Sequence, residues 1–588
     1  MLKALYDYAL REDLILPAGY VKKNVRAYVS LSKNGEFLGI MPGQEEKVPC
    51  PDIGSMANSG DKCNVLAEKR CILFPGDEKQ QEKYAAKAAY FRETMADAAK
   101  VEPRLALCLN AMSDADIVAA VSTQLDQMKL DGAKVISFMV DGQNILELES
   151  VKNWWLQFRQ QFRSVGSKVP CLITGQLTVP LATVPPISGL SVVGGHARGD
   201  ALICFDKDAF CSYGLKQAAN APVSEEAFAG VKAALDDLLA DAPVLAGMKF
   251  VHWYNRPVEE DELEQVFGNT IPDEDEEEEN LPGVNFDQAR RQADDSVNSV
   301  KTGAAVHELP NLYYILLLSG VNGRVMIRSY QEGNYRQLTE HLRQWEDDLR
   351  LINSAGTSEM KPVKLAARLI RLLSRQNSDR NIFDRMAKEL AGLTPAIINA
   401  ILNNMQFPDA VASRALAYLR SQMFAAGDGE QSRKTPDPWA CQWLKAWLCR
   451  REREKYKTKE VLTMDYNEKH PEPAYHCGAL VAVYGAIQNR AMPDVNVSLI
   501  DRYYASASQT PALVLGQLAR ISNYHISKLE KLRTYFSNLR DTVACAIGPA
   551  IPAVLRPEQQ AYFALGYYQM CAKLEQDRLA RKAAAAEK

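Results

Sequence analysis

Histidine is scarce in this chain of 588 residues: there are seven, none paired at metal-ligand spacing. A hydrolytic metal centre built from clustered His and Asp is therefore not expected. The twelve cysteines are scattered, with no C-x-x-C and no Cys/His group at zinc spacing, which reads as reduced thiols in a cytosol. No window approaches the roughly 18 consecutive apolar residues that span a bilayer. The start, Met1 to Tyr8, has an amphipathic character but meets Asp7 at once, so neither a secretory signal nor a mitochondrial presequence is expected. There is no Walker A loop, G-x-S-x-G elbow, H-E-x-x-H or zinc finger, and the glycine-rich stretch Val193 to Asp200 lacks dinucleotide-fingerprint spacing. A net charge of -4 gives no global sign of a nucleic-acid or membrane binder. The expectation is a soluble cytoplasmic protein with no cofactor, no membrane partner and no catalytic constellation.

What is present divides the chain. Its length suggests two to four domains, at about 100 to 200 residues each. Alternation over Val25 to Leu31, a break at Asn34-Gly35 and resumption at Phe37 to Ile40 predict a hairpin with a tight primed turn. Residues 78–128 read as two helices and Lys134 to Val140 as a buried strand. A helix carrying Trp154, Trp155, Phe158 and Phe162 on one stripe comes next. Strands are expected near Cys171 to Thr174 and Ala201 to Phe205, then a helix over Glu225 to Leu239 and a strand ending at Trp253. Residues 259–280 hold the acidic run Asp273 to Glu279 and read as a solvated, disordered loop. Leu312 to Ser319 and Gly323 to Ser329 read as a second hairpin, and beyond about residue 335 the period is helical.

The fold class is therefore α+β: a mixed α/β N-terminal domain with β-hairpins over 1–335, followed by an all-α C-terminal helical bundle. The helical part divides into a basic region, 336–463, and a bundle, 464–588. Between Lys361 and Lys459 nineteen Lys or Arg stand against nine Asp or Glu. Arg368, Arg371 and Arg375 fall at helical spacing, so one basic face able to lie against a phosphate backbone is expected, with an ordinary solvated face as the alternative.

Two further motif sets carry a family signal. At the C-terminal end stand Pro473-Ala474-Tyr475-His476-Cys477-Gly478, Asp501 to Pro511 and Phe563-Ala564-Leu565-Gly566-Tyr567-Tyr568. Earlier come Leu5-Tyr6-Asp7 with Leu16 to Tyr20, Cys171 to Gly175, Ala209 to Gly214 with Asn220 to Ser224, and Leu316 to Arg328. In that order they resemble the Csd-type large subunit of type I-C CRISPR effector complexes (Cascade), across nearly the whole chain. The chain departs from the family pattern at Leu66 to Leu73, Pro185-Pro186 and Cys204-Phe205-Asp206.

The resemblance implies a non-enzymatic subunit that recognises the protospacer-adjacent motif in target double-stranded DNA and stabilises the R-loop and displaced strand. It also implies recruitment of a helicase-nuclease in antiviral defence. The implied partners are the guide RNA ribonucleoprotein (its backbone, RNA-processing and small subunits), the target duplex and the helicase-nuclease. The family's internally started small subunit matches the size of 464–588, so Met464 is expected to be such a start. Reading of the motif is assigned to Asn58, Lys62, Asn64, Lys69 and Arg70, on a segment taken as loop-rich. DNA-backbone contact is assigned to Lys22, Lys23 and Arg26 with Arg368, Arg371 and Arg375. The displaced strand falls to Arg490, Arg502, Arg520, Lys528, Lys531, Arg533 and Arg540. The acidic run 273–279 would repel phosphate and is expected to stay off DNA. The alternatives are a metal-dependent nuclease using Asp206 and Asp208, helped by Asp200; a hydrolase written on Ser212 and His196; and a protein-only helical adaptor.

Overall fold

Local signals start and stop the elements of the computed structural model, which describes all residues except 18, 59, 163–166, 259–260, 269–310, 361–362, 375–380, 426–434, 457–461, 494–497 and 587–588. The described residues form two compact units, Met1–Ser191 with Gly195–Ala240 and Asn322–Val325, and Val192–Gly194 with Asp241–Val321 and Met326–Lys588.

In the first unit, α1 (Leu2–Arg11) is followed by β1 (Tyr20–Lys23), β2 (Val25–Leu31), β3 (Phe37–Pro42), β4 (Val48–Pro51) and β5 (Glu68–Lys69). Helices α2 (Glu78–Ala99), α3 (Arg104–Ser113) and α4 (Ala115–Gln127) precede β6 (Val135–Val140), β7 (Gln143–Asn144) and α5 (Glu149–Phe158). The strand order is β3-β2-β6-β5, with β7 on β6 and a separate β1-β4 pair. β2 runs antiparallel to β3 and parallel to β6. The hairpin is as expected, but its turn is longer: only Gly35 takes positive φ, and the Ser32 hydroxyl accepts from the N–H groups of Asn34 and Glu36 to close the loop. Residues 78–128 form three helices, not two, because Pro103 precedes α3 and Asp114 caps α4 by accepting from the N–H groups of Asp116 and Ile117 at 3.0 and 3.1 Å.

Further along, Val169–Pro170 (β8) pairs with Leu177–Thr178 (β9), and Cys171 to Thr174 is the turn between them rather than a strand. Ala201 to Phe205 contributes one bridge, Ala201 to Arg324. Helix α6 (Glu225–Ala240) closes this unit. Its core is gathered around Val29, Phe91, Phe138 and Trp155.

The second unit opens with β10 (Val244–Leu245), β11 (Met248–Tyr254), α7 (Glu262–Phe267), β12 (Leu312–Val321) and β13 (Arg324–Asn334), in a four-stranded sheet of that strand order. Asn322 and Gly323, both at positive φ, form the tip of the second hairpin. Helices follow: α8 (Tyr335–Leu349), α9 (Leu365–Leu369), α10 (Ile382–Leu390), α11 (Thr394–Leu402), α12 (Asp409–Ala425) and α13 (Pro438–Tyr456). The last five are α14 (Pro473–Ala491), α15 (Leu499–Ala507), α16 (Pro511–Ser527), α17 (Arg533–Ile547) and α18 (Pro557–Ala586). One apolar core runs continuously from Leu245 through Trp345 and Trp443 to Met570, so the sheet and all the helices bury their faces together.

Among the described helices, α14 and α18 cross with their backbones in close approach. A Cβ at Gly478 would lie 1.9 Å from the Phe563 carbonyl oxygen, and one at Gly566 would lie 2.0 Å from the Tyr475 carbonyl oxygen. Only glycine lets the two backbones approach that far. Beneath the crossing lies a buried polar chain. Glu452 of α13 accepts from Leu462 N–H and from Tyr562 Oη at 3.2 and 2.9 Å and lies 3.0 Å from His470 Nε2. His470 Nδ1 accepts from Glu472 N–H, so Nε2 carries the proton given to Glu452. Tyr475 Oη donates to Gln569, whose amide nitrogen donates to the Thr463 and Met464 carbonyls. Residues 462–470 are thereby clasped onto α14 and α18.

Candidate nucleic-acid interface

Two exposed cations, Arg26 and Lys69, stand at one end of the first unit's sheet, and a third, Lys22, lies on the separate β1-β4 pair just before β2. Lys22 pairs with Pro49 across β1-β4. Val25 pairs with Val135, and Val135 pairs with Lys69, so Arg26 on β2 and Lys69 on β5 flank the first residue of β6. Two strand spacings separate β2 from β5, about 10 Å. Lys22, Arg26 and Lys69 are exposed, and this sheet end presents positive charge at the scale of a phosphate backbone.

Lys23, Asn64 and Arg70, also assigned to this region, serve the fold. Lys23 is ion-paired with Asp52 at 3.3 Å. With its amide assigned in the orientation that satisfies both neighbours, Asn64 donates to Asp52 at 2.6 Å and accepts from Lys23 at 2.9 Å, while its backbone N–H donates to Glu68. Its hydrogen-bonding groups are thus occupied inside the protein and do not face a base edge. Arg70 is buried at 6% exposure, donating to the Leu130 carbonyl and to Asp126 at 2.5 and 2.7 Å. Lys62 is half-buried, and the Asn58 side chain lies outside the described residues. The expected surface loop is largely interior: Cys63, Val65, Leu66 and Ala67 are buried, and Ser137 Oγ donates to the Leu66 carbonyl. The apolar run Val65-Leu66-Ala67 was the sequence signal for this.

The basic stretch 361–459 also changes meaning. Arg368 is 3% exposed and donates to Gln442 and the Val363 carbonyl. Burial pulls it down to about 10, and the desolvation of its half-buried neighbour Glu346 pushes that carboxyl up to about 8. Arg371 pairs with Asp437 at 3.3 Å and lies over the Trp439 ring. The helix here ends at Leu369 in a 3-10 turn, and Arg375 lies outside the described residues, as does the acidic run 273–279. Arg450 and Arg453 both bind the fully buried Asp348, Lys445 caps the Asp347 and Asp348 carbonyls, and Arg414 binds Glu389. Among the described residues, Arg368, Arg371, Arg414, Lys445, Arg450 and Arg453 are thus held by internal carboxylates, amides and carbonyls rather than lined along one solvent face, and a windowed charge count omits partners such as Asp348 outside the window.

On the C-terminal helices the assigned cations are mostly at the surface. Arg490, Arg502, Arg520, Lys528, Lys531 and Arg533 are exposed. Arg540 is half-buried and reaches from α17 to Asn523 of α16 while pairing with Asp541. Along α16 and onto its C-cap, Arg520, Tyr524 and Lys528 follow at four-residue spacing, with Tyr524 61% exposed and Lys528 Nζ 4.5 Å from its ring centroid. Tyr524 was not singled out from the sequence, although an aromatic between basic residues on a polar helical stripe is a usable signal.

The carboxylates named for a metal do not converge. Asp200 is fully buried and accepts from His196 N–H, while Asp206 pairs with Arg324 at 3.3 Å. Among the described residues no group of three or more His, Cys, Asp or Glu is placed to hold a metal ion. Among them, too, no single helix is long and apolar enough to cross a membrane.

The family model for CRISPR-associated protein (Cas_Csd1) matches residues 2–574. The chain belongs to this family. No curated protein matches it. The Csd1 match covers both units, so the exposed cations on each are surfaces of one CRISPR-associated chain.

Proposed function

We propose that this Csd1-family chain is the non-catalytic large subunit of a type I-C CRISPR RNA-guided complex. It reads a short motif in duplex DNA beside the target, holds the opened strands and docks a separate helicase-nuclease. The family match over residues 2–574 carries this reading. In it, Lys22, Arg26 and Lys69 grip the duplex backbone at the sheet end, and the row Arg520, Tyr524, Lys528 with Lys531 and Arg533 tracks the displaced strand. Base pairing with the guide supplies sequence specificity, so these protein groups need only position the DNA.

The test is a salt series of target binding by the chain assembled with guide RNA and its backbone subunits. Affinity that falls steeply with salt, no cleavage by the chain with Mg²⁺ or Mn²⁺, and motif-dependent binding support the reading. Salt-insensitive or absent DNA binding would point to a protein-only adaptor, and cleavage by the purified chain to a nuclease. Met464 is proposed as the start of a separate short product, checked by its loss in Met464→Leu while full-length protein still accumulates. That product would lack Glu452, so His470 Nε2 and Tyr562 Oη would need another acceptor.

A further inference from the structure

We infer that the loop Asp206 to Gln217 of the first unit is a base-stacking element for single-stranded nucleic acid, with Tyr213 as the platform and Lys207 and Lys216 as its phosphate contacts. The inference rests on the reading that this chain acts on nucleic acid. Ser212 to Leu215 is a tight turn, closed by Leu215 N–H donating to the Ser212 carbonyl at 2.9 Å. Its central residues, Tyr213 and Gly214, both take positive φ, 53° and 72°. That geometry favours Asn-Gly or Gly-Gly, and a bulky aromatic there is an outlier. Tyr213 is fully exposed, so no burial offsets the unfavourable backbone. A strained residue with no packing role suggests function.

The turn is also held rigid from within. Asn220 Oδ1 accepts from Ser212 N–H at 2.9 Å, and its Nδ2 donates to the Leu215 and Gln217 carbonyls at 3.1 and 3.0 Å. The apex ring is therefore presented without a large ordering cost on binding. Within the same loop, the half-exposed Phe210 ring lies 5.9 Å from the Arg324 guanidinium, which pairs with Asp206. That pair leaves Asp208 as the loop carboxylate opposing Lys207 and Lys216, which are exposed at the two ends of the loop. A single ring at the tip of a narrow turn suits a nucleobase. A stable protein partner would need about 800 Å² from this side, far more than one turn supplies.

The experiment uses the full chain with a 2-aminopurine-labelled single strand and the same sequence as duplex. Tyr213→Ala should weaken single-strand binding about fivefold to a hundredfold and abolish the fluorescence quenching, with duplex affinity and salt slope unchanged. Tyr213→Phe should keep both binding and quenching. Lys207→Ala with Lys216→Ala should retain quenching and lower the slope by about 0.7 for each lost contact. Thermal unfolding of Tyr213→Gly should match or exceed that of the parent, showing that the fold does not need the ring. If the parent binds single strands and Tyr213→Ala binds them equally well, the inference is overturned and the turn serves a protein partner or none. If the parent shows no salt-sensitive nucleic-acid affinity, alone or assembled, the wider reading fails and this one with it.

Discussion

The crossing of α14 with α18 and the strands carrying Lys22, Arg26 and Lys69 are opposite kinds of place. At the crossing, Gly478, Gly566, Tyr475 and Tyr562 are locked by close backbone approach and buried hydrogen bonds. At the sheet end, Arg26 and Lys69 are exposed on strands that flank β6, and Lys22 is exposed on the neighbouring β1-β4 pair. The motifs Pro473 to Gly478 and Phe563 to Tyr568 belong to the first kind, so these family signatures mark packing and do not by themselves locate DNA contacts. Interior positions are restricted by every neighbour, whereas a cation on a surface needs only to be within reach of phosphate.

The sharpest way to break this comparison is at the crossing. Gly478→Ala forces a methyl against the Phe563 carbonyl, and a loss on the order of 3 kcal/mol or more is expected, read by denaturant unfolding. Retained stability would mean that the helices separate easily. Next is the polar chain beneath: Glu452→Ala strands Tyr562 Oη, Leu462 N–H and His470 Nε2 without an acceptor and should cost about 3 kcal/mol. Amide exchange should quicken first over 462–470, which Glu452 helps clasp.

At the surface, Lys22→Ala with Arg26→Ala and Lys69→Ala should leave stability within about 0.5 kcal/mol. The salt slope for duplex binding should fall by about one for each lost contact. Arg70→Ala, one residue from Lys69, should behave like a core change, costing about 1–3 kcal/mol through its lost internal partners. If Arg70→Ala instead weakens only DNA binding, the division between the two kinds of site is wrong.

The smallest effect expected concerns pH, because solvent reaching the half-buried Glu346 screens much of its shift. Burial holds Glu346 at about 8, above its ordinary 4.5. The folded state thus keeps this proton while the unfolded state releases it, and stability falls as pH rises from about 4.5 to 8. Glu346→Gln should flatten that part of the curve, checked by unfolding at pH 5 and pH 8.

Much of the architecture was legible in one dimension. Alternation located β2 and β3, helical period located the C-terminal half, and Asn322-Gly323 located the second hairpin, because each depends on local backbone preference. The breaks at Pro103 and Asp114 were legible too but were passed over. The family was legible from ordered motifs. Charge counting, in contrast, misread Arg368, Arg371 and the stretch up to Arg453, and polarity misread Asn64 and Arg70.

The sequence by itself determined the element types, the α+β order and the family, since those follow from short-range pattern and motif order. Only the tertiary structure decided which cations reach solvent. Asp348, Asp437, Asp126 and Gln442 come from distant parts of the chain to neutralise or cap arginines that look surface-bound in sequence. Whether a charge is available to a partner depends on such long-range pairing and on burial, and neither is written in its neighbours along the chain.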